Sequence, residues 1–105
     1  MSDRFTLEHR SGEQARVGGR IDVGNAAQAL AAGERLSAAA TRLEINLEDL
    51  QSADSVTLAV LLAWSSRARR NGGELVYRDV SPRLRSIAHL SDAEGLLGIE
   101  SRDAA

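Results

Sequence analysis

A chain of 105 residues, 43% hydrophobic and with a formal net charge of −2, has the make-up of one globular domain with no global pull toward nucleic acid or anionic lipid. It contains no cysteine, which excludes disulfide scaffolds, thiolate metal sites and a cysteine nucleophile. All 13 of its Lys and Arg positions are arginine, and its single Trp, Tyr and Phe are too few for a base-stacking platform.

The opening residues Met1-Ser2-Asp3-Arg4-Phe5 show neither the basic start nor the apolar stretch of a secretory signal. The richest apolar run, Val56 to Trp64, is well short of the ~20 residues of a membrane helix. The expectation is a cytoplasmic protein that reaches a membrane only through a partner.

Phe5, Leu7 and His9 alternate with Thr6, Glu8 and Arg10 and predict a half-buried strand. Ser11-Gly12-Glu13 is turn chemistry, and Ala15, Val17, Gly19 and Ile21 predict the returning strand of a hairpin. Gly18 and Gly19 point to a bulge or a close backbone approach there. Asn25 reads as the N-cap of an alanine-rich helix reaching about Ala40. Gly33 inside that helix costs ~1 kcal/mol relative to alanine unless a neighbour packs against it.

Leu43, Ile45 and Leu47 alternate with Arg42, Glu44 and Asn46 and predict a third strand. Ser55 to Asn71 reads as a helix whose last turn carries Arg67, Arg69 and Arg70, suited to the negative end of its dipole, before Gly72-Gly73 stops it. Glu74 to Val80 predicts a fourth strand, and Ser81-Pro82 opens a short helix. Leu96, Leu97 and Ile99 predict a last edge strand before a frayed tail. The order β-β-α-β-α-β-α-(β) makes the fold class α/β: one domain over residues 1–105, its core about 5–99, with a mixed sheet, an N-terminal hairpin and covering helices.

Two physical features mark the stretch from Gln51 to Trp64. Asp54-Ser55 falls where a loop meets a helix N-terminus, and there free N–H groups and the positive dipole end favour a hydroxyl, a carboxylate or a phosphate. The helix that follows is apolar nearly all round, with Thr57 its only polar interruption before Trp64. That is more apolar surface than one sheet face covers, so neighbouring helices or a partner protein must take the surplus. Taken alone, Asp54 or Ser55 also reads simply as a helix cap.

Leu43-Glu-Ile-Asn-Leu47, Asp54-Ser55, Leu58-Ala-Val-Leu-Leu62 and Asn71-Gly-Gly-Glu-Leu-Val76 together resemble a STAS domain, the fold of anti-sigma-factor antagonists and of sulfate-transporter C-terminal domains. The likeness runs from about Phe5 to Ile99 and is strongest to the MlaB-type subgroup, through Gly19-Arg-Ile-Asp22 and the Asp-Ser-x-x-Leu-Ala-x-Leu-Leu helix start. The resemblance implies a subunit without catalysis. Its partner would be the cytoplasmic ATPase (MlaF-like) of a phospholipid ABC transporter that maintains outer-membrane lipid asymmetry, and it would lie peripheral to the inner membrane within that complex. Asp54, Ser55, Val56 and Thr57 would form the partner-binding surface. The alternative the resemblance implies is an anti-sigma-factor antagonist phosphorylated on Ser55 by an anti-sigma serine kinase. Such antagonists usually carry glycine two residues after that serine. Here Val56 and Thr57 crowd the place, which weighs against the switch.

Other constellations are weaker. Asp54, Ser55 and His89 lack the Gly-x-Ser-x-Gly frame of a hydrolase, and no glycine-rich stretch matches a phosphate loop. His9 and His89 have no metal-ligand spacing, so neither a metal nor a cofactor is expected. The arginine clusters at 67–70 and 83–85 read as solvated helix ends or as contacts for an acidic partner.

Overall fold

The computed structural model describes residues 4–11, 13–37 and 42–97. β1 (Thr6–Ser11) and β2 (Gln14–Gly19) form the predicted antiparallel hairpin, with Leu7 opposite Val17 and His9 opposite Ala15. α1 (Ala26–Ser37) carries the chain to β3 (Arg42–Leu50), and α2 (Ser55–Arg70) carries it to β4 (Glu74–Arg78). β3 pairs in parallel with both β2 and β4, so the sheet order is β1-β2-β3-β4. Two crossovers of the same hand stepping in the same direction place α1 and α2 on one face.

Side-chain alternation separates the two faces of the sheet. Ala15, Ile45 and Tyr77 sit in one cross-strand row, and with Val17, Leu43, Leu47 and Leu75 they form the buried face under the helices. The opposite face is polar and partly open to solvent. Arg78 donates to Glu44 (3.0 Å), Arg42 donates to Glu44 (3.0 Å) and Glu74 (3.1 Å), and Arg16 donates to Asp49 (2.6 Å).

The sheet register shifts between Arg16 and Gly18 against β3, the bulge that the paired glycines suggested. Gly19 supplies the close approach as well. Its φ is +81°, and a Cβ there would overlap the Arg4 carbonyl.

α2 is the central helix. Trp64, Leu61, Leu58 and Ala68 are buried on it, and the Trp64 Nε1–H donates 3.0 Å to the Ala29 carbonyl of α1. Gly33 is the gap that admits the indole, so the glycine inside α1 has its packing neighbour. Phe5 closes the other side, its ring centroid 6.3 Å from that of Trp64. The surplus apolar surface expected of α2 is therefore taken up by neighbouring helices, α1 among them. Val56 and Leu62 remain half-buried, with Ala59 and Ala63 exposed.

Helix ends follow local chemistry. Gly72, at φ +84°, closes α2, with Gly73 N–H donating back to the Ala68 carbonyl (2.8 Å). Ser81 caps α3 (Pro82–Leu90), its hydroxyl accepting from the Leu84 N–H (3.1 Å) with Pro82 in the first turn.

Several expectations are corrected. β4 ends at Arg78 and not at Val80, because Asp79 turns into the left-handed region at φ +56°. Leu96 and Leu97 are not in an edge strand but in α4 (Glu94–Leu97), where Leu97 is buried and its carbonyl accepts from the Ser65 hydroxyl (3.2 Å). A short apolar run does not distinguish strand from helix by periodicity, and the packing against α2 decides it. Ile99, the stretch of the first helix past Ser37 and the tail lie outside the described residues.

Candidate functional site

Because β2, β3 and β4 are parallel, the loops that follow them emerge together at one end of the sheet, where α1, α2 and α3 begin. The first of these loops is tied by a reciprocal pair. Asp22 N–H donates to Asn25 Oδ1 (2.9 Å) and Asn25 N–H donates to Asp22 Oδ1 (3.0 Å), while Asn25 Nδ2 donates to the Arg20 carbonyl (2.9 Å). Asn25 thus holds the cap position expected of it, its carbonyl accepting from Ala29 (2.9 Å), but its side chain serves the loop and not the helix. Val23, at the loop's crest, is 83% exposed.

The second loop delivers Asp54 in extended conformation (φ −140°, ψ −175°), and its carboxylate accepts from the Thr57 N–H at 2.9 Å. Asp54 is the true N-cap of α2 and still faces solvent. Ser55 follows in the first turn with an exposed side chain, and Val56 is half-buried beside it. These three predicted site residues are brought together at an accessible edge.

Thr57 is not at that edge. Its side chain is 0% exposed, and its Oγ1 lies 2.7 Å from Ser52 Oγ and 3.3 Å from the Ile21 carbonyl oxygen. The sequence expectation that Thr57 contributes contact surface and crowds Ser55 is thereby corrected: in this turn of helix the residue two places beyond an outward Ser55 points inward. Sequence reasoning also missed Ser52 and Val23. The one available signal was Thr57 itself, a lone hydroxyl in an apolar run.

Of the basic clusters, Arg83 and Arg85 stand in the first turn of α3, at this same end of the sheet, whereas the other lies far from it. Arg67, Arg69 and Arg70 end the 16-residue α2, about 20 Å from Ser55 by helical rise, and Arg67 stands 3.7 Å from Glu34. His9 is exposed on β1 and His89 exposed on α3, and no group of three or more His, Asp or Glu suited to a metal occurs among the described residues. The open sheet face holds a polar hollow of about 210 Å³ lined by Arg10, Gln14, Arg16, Glu44, Asn46 and Arg78. Its charges are matched within the sheet: the Arg78 and Arg42 guanidiniums hold the Glu44 carboxyl below the usual carboxylate range.

Over residues 7–98 the sequence matches the family model described as the MlaB, STAS domain. The chain belongs to the MlaB-type STAS family. Solved structures share this STAS fold. An anti-sigma factor antagonist from Mycobacterium paratuberculosis superposes with a TM-score of 0.73 at 24% identity, covering 99% of this chain and 93% of that one. The anti-sigma factor antagonist SpoIIAA in its unphosphorylated form gives 0.71 at 20% identity, covering 96% and 91%. The phosphorylated form of SpoIIAA, a Bacillus cell fate determinant, gives 0.68 at 20%, covering 96% and 95%. No curated protein matches the sequence significantly.

Proposed function

We propose that this STAS domain is a non-catalytic subunit that docks onto the cytoplasmic ATPase of an Mla-type phospholipid ABC transporter and supports its assembly, lying peripheral to the inner membrane through that complex. The observation that carries the reading is the exposed Asp54-Ser55 pair on a capped helix start, in a chain of the MlaB-type family. Asp54, Ser55 and Val56 would meet the ATPase, joined by Val23 from the neighbouring loop and Ala59 one turn along α2. No described helix is long and apolar enough to cross a membrane, in keeping with a membrane link made through a partner.

A second reading is an anti-sigma-factor antagonist switched by phosphorylation of Ser55, by an anti-sigma serine kinase. It draws support from an exposed Ser55 that Thr57 does not crowd. Against it, a phosphate of about −2 charge would sit beside the Asp54 carboxylate.

The two are separated by titrating the purified chain with the ATPase subunit, and separately by incubating it with an anti-sigma kinase and ATP. The docking reading expects a complex with the ATPase and no mass change. A Ser55→Glu variant would bind at least about tenfold more weakly while its unfolding free energy stays within about 0.5 kcal/mol of the wild type. Equal ATPase binding by Ser55→Glu defeats the docking reading, and a gain of one phosphate at Ser55 with release from the kinase establishes the second.

A further inference from the structure

Ile21 lies beyond the end of β2, and its backbone is met by side chains of the α2 start. Its N–H donates to Ser52 Oγ at 2.9 Å, and its carbonyl lies 3.3 Å from Thr57 Oγ1. The two hydroxyls are 2.7 Å apart. Each owns one proton, so all three contacts are satisfied together when Ser52 donates to Thr57 and Thr57 donates to the Ile21 carbonyl. The result is a closed ring that begins and ends on the backbone of one residue. It is dry: Ser52 is 2% exposed and Thr57 is 0% exposed.

We propose that Thr57 is a positioning residue whose hydroxyl, through this ring, fixes the Arg20–Asn25 loop to the first turn of α2, so that Val23 and Ser55 are presented as one rigid edge. The proposal rests on reading the α2 start as the docking surface. Two observations carry it beyond a buried polar contact that merely fills space. The loop is braced internally by Asp22 and Asn25, and Ile21 roots it in the core, so Thr57 is the side chain that ties this root to the first turn of α2. Val23 stands 83% exposed on that loop, and an edge held rigid beforehand loses less conformational freedom when a partner covers it. Valine would fill the same volume in a helix that is apolar all round this position, so the hydroxyl is what the ring requires.

The test compares the full chain with Thr57→Val, which keeps shape, and Thr57→Ser, which keeps the hydroxyl. Residue-resolved amide hydrogen exchange should show Thr57→Val speeding Ile21 and the amides of residues 22–25 by at least about tenfold relative to β3, with Thr57→Ser within about threefold of the wild type. An unchanged Ile21, or the same acceleration throughout the sheet, overturns the proposal. Should Thr57→Val fail to fold, Ser52→Ala removes the acceptor of the Ile21 N–H and must produce the same local pattern. Titration with the purified ATPase subunit supplies the second readout: Thr57→Val should bind about tenfold more weakly and Thr57→Ser should recover, and equal binding by Thr57→Val overturns the positioning role. If the wild-type chain does not bind the ATPase, the docking reading falls, whereas the exchange pattern still decides whether Thr57 couples loop to helix.

Discussion

The indole of Trp64 occupies the space that a side chain on Gly33 would need. Its Nε1–H donates 3.0 Å to the carbonyl of Ala29, four residues earlier on α1, so the ring is held in place by a hydrogen bond as well as by packing. α1 and α2 approach as closely as they do because one of them lacks a Cβ at the crossing.

Gly33→Ala should therefore destabilise the domain, although alanine raises helix propensity by about 1 kcal/mol. Overpacking costs ~1–3 kcal/mol and the displaced indole risks its hydrogen bond, so a net loss of about 1–3 kcal/mol is expected in denaturant unfolding. A neutral or stabilising result would contradict the helix contact.

Asp54 combines capping with exposure, and substitution separates the two. Asp54→Ala should cost about 1 kcal/mol of stability, since the Thr57 N–H loses its acceptor. Asp54→Asn keeps a capping oxygen and should stay within about 0.5 kcal/mol of the wild type while removing the charge. Chemical denaturation of the two variants checks the cap. ATPase titration of Asp54→Asn then reports on the carboxylate alone.

Asp92 adopts φ +56° just past α3, where the Ala93 N–H donates back to the Ala88 carbonyl at 2.8 Å. A residue with a Cβ carries strain in that conformation, whereas Gly72 meets the same need after α2 without it. Asp92→Gly is expected to stabilise by about 0.4–1 kcal/mol and Gly72→Ala to destabilise by about 1 kcal/mol, both read from the unfolding midpoint.

Burial pushes the Tyr77 phenol up from its ordinary value, and its hydroxyl donates 2.8 Å to the Leu61 carbonyl. The folded state therefore keeps this proton at a pH where the unfolded chain gives it up. The contribution is fully present below the ordinary phenol value and declines as pH rises above about 10. Alkaline titration should show tyrosinate absorbance appearing together with unfolding, and not before it. Tyr77→Phe should flatten the alkaline loss. Phenolate formation in a chain that is still folded would refute the burial.

The hairpin and the four later elements β3, α2, β4 and α3 were readable because their patterns are local: alternation at Leu43, Ile45 and Leu47, a glycine pair after three arginines, and a serine-proline start for α3. The edge at Asp54 and Ser55 was readable for the same reason, since a cap is a sequence-local device. What escaped was set by distant partners. Leu96 and Leu97 fall in a short helix where Leu97 is buried and meets α2, and Thr57 turned inward to meet Ile21, 36 positions earlier. A spacing rule that places Thr57 two residues from Ser55 cannot tell which way it faces until β2 and α2 have been brought together.

The ion-paired side of the sheet has a practical meaning for anyone who wants to watch this domain engage something else. It points away from the helix layer, and its arginines and carboxylates already neutralise one another in plane. A fluorophore or tether attached to the exposed Glu74, at the start of β4, would anchor the molecule at the end of the sheet away from Ser55 and Val23, leaving them free for binding measurements on a surface.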